Sequence, residues 1–461
     1  YCQEWVSWGE KDRIHLGMML IEMFISTTGF AEEAQRSLGS KKTEKILIAT
    51  QAVNDFIKNN REVAEMLSPV YEPMVVPPVD WQGPRGGGYL THHIPPLSFI
   101  KTSSGNYLEE LEGLSDQMEP VYRAVNHIQK TPWQVNSFVL AILQILHDNG
   151  TAVAGLAALE DEPLPDEMSE EQLRQFKLWK QRSTKVYEER IRASSKRLMT
   201  SRIRSMAEKF SKYNAIYFVH TADFRGRLYP ASSYLTPQGN SLSKGLLKFA
   251  DGKPLGTNEA ACELAIHGAN CFGYDKASMQ ERVDWVVERS DMICRVATDP
   301  LGDLWWAKEA DDPFSFVAFC EEWAGYCENG YDHVSYIPIA KDGACNGLQH
   351  LSSCLLDRVG GAQVNILPSE KPADIYQTVA DKTIQKVKDD LASTEMVLNT
   401  HNVAQLAAKW LEYGITRKTA KRCTMTRVYG STLFSARAFI QEYLTDTDAK
   451  RKGEDREYVS P

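Results

Sequence analysis

Residues 415–431 read ITRKTAKRCTMTRVYGS. In a helix, Arg417 stacks on Lys421 and Lys418 on Arg422, each like-charged pair costing roughly a few tenths of a kcal/mol. Groups outside the helix must therefore compensate these charges. Arg417, Lys421, Met425 and Tyr429 recur at steps of four along one side, and Gly430 ends the run. Cations on one helix face can hold a triphosphate, and a tyrosine at the far end can pack against a sugar and base. The stretch reads as a nucleotide-holding helix.

Two upstream stretches carry related chemistry. The strand-like AIYFVH at 215–220 leads into TADFRGRLYP, where Arg225 and Arg227 flank the turn-forming Gly226. Two guanidiniums on such a turn can converge on a phosphodiester, although Asp223 offers either of them an ion pair instead. VSYIPIA at 334–340 reads as a strand that ends in Lys341-Asp342-Gly343. NGLQHLSSCLLDRVGG then reads as one helix, with Leu348, Leu351, Leu355 and Val359 on its buried face and Gly360-Gly361 as its stop. Asp342 stands where a carboxylate and the Gly343 carbonyl can both face a hard cation, or where a simple turn residue would. His350 reads as a core histidine.

The chain has 461 residues, 43% of them hydrophobic and 25% charged, which predicts an ordinary globular protein of about three domains. No apolar run reaches the roughly 18 residues of a spanning helix, and the start lacks the pattern of a signal peptide, so the sequence reads as intracellular. The nine cysteines show no zinc spacing and read as reduced, mostly buried thiols. A net charge of −9 argues against general polyanion binding, but charge is segregated. Residues 173–213 hold thirteen Lys/Arg against three Glu, after seven acidic and no basic residues in 155–171. A basic helix from about Ser169 to Tyr213 follows, with one packed face and one positive face that is a nucleic-acid grip or only a solvated surface.

The first residues, to about Leu67, read as helices, the opening one stopped by Gly29. SPVYEPMVVPPVDWQGPRGGGYL is extended, and Gly86-Gly87-Gly88 within it reads as a turn because no Lys-Ser/Thr follows to make a P-loop.

In this order, DFRGRLYP, KDGACNGLQH and RKTAKRCTMTRVYGS resemble the three marker regions of single-subunit RNA polymerases of T7-like bacteriophages and mitochondria. The segments TPQGNSLSKGLLKFADGKP, IHGANCFGYDK and VYRAVNHIQKT look phage-type. The resemblance covers nearly the whole chain. It implies a mixed α and β, predominantly helical right-hand polymerase fold with thumb, palm and fingers, the palm and fingers incomplete. It implies DNA-directed RNA synthesis from nucleoside triphosphates with two Mg2+ ions, on a DNA template and promoter. It further implies a monomer with no membrane partner, acting in the cytoplasm of an infected bacterial host.

By the same resemblance Asp342 and the Gly343 carbonyl match the first metal position, and Lys421 the fingers lysine on the triphosphate. Arg417 joins it on the phosphates, Met425 lies between, and Tyr429 matches the ribose-sensing tyrosine, with Tyr376 in DIYQTV as a further nucleotide contact. Arg225, Arg227 and Lys244 match nucleic-acid contacts, and Lys196, Arg197, Arg202 and Arg204 of the basic helix would grip the hybrid backbone. The expected divisions are 1–130 as the end of an N-terminal domain, 131–212 as thumb, 213–357 as the first half of the palm and 358–461 as partial fingers.

Two rivals remain. A DNA polymerase of the same architecture shares the fingers pattern, but such enzymes resemble one another in a bulky glutamate where this chain has Gly347, and an aromatic where it has Met425. The other is a catalytically silent nucleic-acid-binding remnant. The family's second catalytic aspartate, in a His-Asp-Ser type motif, has no counterpart before Pro461. The expectation is therefore a fragment that does not polymerise alone.

Overall fold

The computed structural model describes residues 9–37, 43–56, 71–91, 97–102, 104–158, 173–393, 396–397 and 401–451. The chain is predominantly helical, and every sheet among these residues has two strands. The helix Glu10–Thr28 stops where expected, with Gly29 at φ 61° donating its amide to the Ile25 carbonyl. The next residues depart from the helical expectation. Ala31–Ser37 and Thr43–Ala49 pair antiparallel, from Ala31↔Ala49 to Ser37↔Thr43. AEEAQRS alone favours helix, but it lies against a segment rich in β-branched Ile46 and Ile48, and cross-strand pairs such as Lys45–Glu33 at 2.9 Å override the local preference.

A small core gathers Trp81, Phe99, Ile100, Tyr122 and Val125 with Val219 and Ala222. The triple glycine serves this packing as a turn. A Cβ on Gly87 would lie 2.6 Å from the Trp81 ring, and Gly88 sits at φ 82°. Trp81 Nε1 donates to the His220 carbonyl over 3.0 Å, tying this core to the Asp223 hairpin described below.

The larger core extends from Val135 to Trp323. Asn136 caps the Ser137–Asp148 helix by accepting from the Val139 amide, and Val139, Ile142, Leu143 and Leu146 are buried along it. Among its described side chains, the long basic helix, Leu173–Phe210, reaches this core through its last turns, at Ile203, Met206, Ala207 and Phe210. Tyr187 and Ile191, which periodicity assigns to a packed face, are exposed. Most of the acidic stretch before the helix lies outside the described residues. At the centre runs Pro313–Asn329, with Phe314, Phe316, Val317, Phe319 and Cys320 all buried. Burying one such side chain contributes about 1.5–3 kcal/mol. Gly268, in the helix Asn258–Phe272, lies so close under the Phe319 ring that a Cβ would collide with it. Of the eight described cysteines, all free, only Cys271 and Cys320 are buried, so the mostly buried set expected from the sequence does not hold.

The central helix also aims the chain towards Asp342. The buried Glu322 pairs with His333 Nε2 at 2.9 Å and accepts from the Tyr336 amide at 3.1 Å. The expected Val334–Ala340 strand is a ladder only at Val334–Ser335, against Lys253–Pro254. Beyond Asp342 two helices form where one was expected. Leu356, left-handed at φ 53°, ends Asn346–Leu355, and Asp357 caps Arg358–Gln363. Gly360 and Gly361 therefore lie within the second helix rather than stopping the first. Leu351, Leu355, Val359 and His350 are exposed, against the expected buried face and core histidine, and the buried side chain of the first helix is Ser352. Periodicity marks an apolar face, but burial requires an element to cover it.

Candidate nucleotide and nucleic-acid site

The Asp342 loop is open to solvent. Asp342 is exposed and its Oδ1 accepts from the Gly343 amide at 2.8 Å, while the neighbouring Lys341 pairs with Glu263 at 3.0 Å. Cys345, at φ 66°, turns the chain into the Asn346–Leu355 helix. A Cβ on Gly343 would collide with Asn346 Oδ1 and lie 3.0 Å from Gln349 Oε1. Glycine thus lets the backbone approach two amide oxygens. One carboxylate with carbonyl and amide oxygens suits a hard cation. No group of three or more His, Cys, Asp or Glu that could hold a metal occurs among the described residues.

The quoted stretch is a helix, Arg417–Arg427, entered through a capping box of Thr416 and Thr419 and followed by Gly430 at φ 85°. Its stacked cations are compensated from other elements. Arg417 donates through Nε to Asp374, which caps the helix Ile375–Asp389. Arg422 pairs with Glu442 and lies 4.1 Å over the Phe439 ring, both on the helix Leu433–Arg451. Arg427 donates to the Ser431 carbonyl at 2.7 Å. Lys418 and Lys421 have no carboxylate partner among the described residues, and both are exposed. Lys421 and Arg417 both face the Tyr376 ring, at 6.0 and 5.2 Å from its centre. Met425 and Tyr429 are exposed on the same helix and its end.

Contacts bring the Asp342 loop and this helix together. A Cβ on Gly347 would collide with Val428 and lie 3.3 Å from the Tyr429 ring. The space beside Gly347 is filled by the chain that follows the Arg417–Arg427 helix, Val428 and Tyr429. Tyr376 bridges the same gap, its hydroxyl meeting the Cys345 thiol; burial first, then this thiol, push its pKa up to about 12. Asp374, Cys345 and Val428 were missed in the sequence. Only Asp374 had a signal, as an acidic residue preceding a helix.

The other expected contacts are more scattered. In the hairpin of His220–Ala222 with Leu228–Pro230, Asp223 Oδ1 accepts the amides of Arg225 and Arg227, and its Oδ2 accepts Arg225 Nε and a terminal nitrogen at 2.9 and 2.7 Å. The ion-pair reading therefore describes Arg225, whereas Arg227 is exposed and its guanidinium has no partner among the described residues. Lys244 pairs with Asp312 at 2.7 Å on a cleft of about 260 Å3, which His267, Cys271 and residues 337–340 also line. Along the basic helix Arg197 donates to the Ala158 carbonyl, Arg202 bonds Tyr234, and Arg204 bonds Asp148 and Glu208. Lys196 is exposed.

Comparison with known proteins gives a consistent family. Residues 253–460 match the DNA-dependent RNA polymerase model and residues 3–130 the DNA-directed RNA polymerase N-terminal model. The DNA-directed RNA polymerase of Enterobacteria phage T3 is 37% identical over 96% of this chain, as is T7 RNA polymerase of Escherichia phage T7. This chain belongs to the phage-type single-subunit RNA polymerase family. The mitochondrial DNA-directed RNA polymerase 1B of Nicotiana tabacum is 32% identical over 95% of the chain. The chain spans 52% of the length of each of the two phage relatives. No helix among the described residues is long and apolar enough to cross a membrane.

Proposed function

We propose that these residues carry the nucleotide-holding half of a DNA-directed RNA polymerase active site, which extends an RNA 3′ end from nucleoside triphosphates on a DNA template. The observation that carries the reading is the juxtaposition of the Asp342 loop with Lys421, Arg417 and Tyr429 across Gly347 and Tyr376. Phosphoryl transfer needs charge on the leaving pyrophosphate and a hard cation at the attacking oxygen. Arg417 and Lys421 answer the first need. Asp342, the Gly343 carbonyl and the oxygens of Asn346 would hold Mg2+, which when bound supplies a Lewis acid.

The choice of an RNA over a DNA polymerase rests on the absence of the rival's glutamate at Gly347 and on the exposed Tyr429 beside it, not on open space at Gly347. Where even a methyl group collides with Val428, the glutamate of the DNA polymerase rival has no place. Arg227 contacts a nucleic-acid phosphate, and Lys196 adds to the thumb surface. Thumb, palm and fingers are assigned to 131–212, 213–357 and 358–461, with 1–130 closing an N-terminal domain; the protein acts as a monomer in the infected host.

One carboxylate does not clamp two ions, so synthesis requires a second from outside these residues. The test is templated incorporation of labelled NTP by the 461-residue chain, alone and supplemented with the remaining half of a phage relative. The chain alone is expected to be silent and the supplemented one active, with Asp342→Ala abolishing synthesis. Activity of the supplemented protein that survives Asp342→Ala would overturn the assignment.

A further inference from the structure

The Arg417 guanidinium is held in a definite way. Asp374 takes its Nε, and neither terminal nitrogen donates a hydrogen bond to a described residue. The Tyr376 ring, 5.2 Å from the guanidinium carbon, covers one side. Asp374 is itself fixed, because its Oδ1 accepts the amides of Tyr376 at 3.0 Å and Gln377 at 3.2 Å as the cap of Ile375–Asp389. The pair is largely enclosed, with side-chain exposures of 31% for Arg417 and 19% for Asp374. Burial works against the Asp374 carboxylate, but the Arg417 bond and the two capping amides together lower its pKa, so it stays an anion.

We propose that Asp374 is a positioning residue for the incoming triphosphate: gripping Arg417 by Nε, it directs the two terminal nitrogens of the guanidinium at the phosphates. This rests on the reading of Arg417–Arg427 as the triphosphate holder and adds what aims it. A flexible arginine loses side-chain freedom when it binds phosphate, and one already held by Nε and stacked on a ring has lost most of it beforehand. Asp374 does not repel the nucleotide strongly, since Arg417 and the positive end of a helix neutralise it locally. Were Asp374 instead a competitor that occupies Arg417 until a triphosphate displaces it, its loss would tighten binding.

The experiment is a fluorescence titration of the 461-residue chain with a labelled GTP in Mg2+, competed by GTP, inorganic pyrophosphate and guanosine. Asp374→Asn keeps an oxygen for the cap and removes the charge that holds Arg417. It should weaken GTP and pyrophosphate by about five- to tenfold, the range for freeing one ordered side chain, and leave guanosine and the melting temperature unchanged. A purely structural role would lower melting and affect all three ligands alike, which overturns the proposal. So does unchanged or tighter GTP binding by Asp374→Asn when Lys421→Ala still weakens it. Wild-type protein that fails to bind GTP, or is indifferent to Lys421→Ala, overturns the nucleotide-holder reading and this proposal with it.

Discussion

The central helix Pro313–Asn329 and the helix Arg417–Arg427 are opposite solutions to the same problem of holding a helix in place. The first is apolar on nearly every side, with Phe314, Phe316, Val317, Phe319 and Cys320 excluded from water, and it needs no charged partner along that run. The second buries only Thr419 and is held by polar contacts at its rim, Arg417 to Asp374 and Arg422 to Glu442. Apolar burial is non-directional and fixes a scaffold, whereas ion pairs and caps fix the direction of individual side chains. A site that must bind a polyanion needs cations left over after its helix is secured. On the proposed reading Lys421 is such a cation, and it shares the Tyr376 ring with Arg417, whose Nε is held by Asp374.

Emptying the scaffold tests this contrast most severely. Phe319→Ala removes a fully buried ring that fills the hollow over Gly268, and should cost about 3–5 kcal/mol in urea unfolding, whereas Met425→Ala on the polar helix should cost far less because Met425 is exposed. Equal losses at the two positions would erase the distinction.

A second probe uses pH. His267, on the scaffold helix Asn258–Phe272, is held at about 4 by burial, with Lys244 also lowering it and Asp312 pulling the other way. The unfolded chain takes up this proton near pH 6.5, while the folded chain resists until about 4. Stability contributed by the neutral imidazole is therefore present above pH 6.5 and drains away as pH falls through this window, by about 3 kcal/mol. His267→Gln should flatten that part of the profile. A profile that the substitution leaves as steep would place the acid sensitivity elsewhere.

The smallest effect is expected where the chain after the Asp342 loop meets the end of the polar helix. Gly347→Ala introduces a methyl group against Val428, and overpacking of this kind costs about 1–3 kcal/mol. Because the scaffold is untouched, the loss should show as weaker GTP binding and faster hydrogen exchange around residues 417–430. Unaltered exchange there would mean that the loop and the helix are not coupled through this contact.

Much of this was legible along the chain, for separate reasons. The stop at Gly29, the helix carrying Arg417 and Lys421, and the turn at Gly226 are local matters of backbone freedom and periodicity, and they occur where the residues indicate. The Ala31–Ala49 hairpin was not legible, because AEEAQRS prefers helix until a strand of complementary pattern lies beside it. The same holds for the apolar stripe of Leu351, Leu355 and Val359, which nothing in the spacing marks as uncovered.

By itself the sequence determined the chemistry of the site: which side chains can ionise, which lie four apart on a helix, and where a glycine frees the backbone. Only the tertiary structure decided which charges are available. Arg204 and Lys244 read as free cations in one dimension and are paired with Asp148 and Asp312 in three, whereas the Asp223–Arg225 pair, two residues apart, is one the sequence already offers. Lys244 and Asp312 are 68 residues apart, Arg417 and Asp374 43 apart. Coulombic pairing depends on distance through space, and chain separation does not encode it.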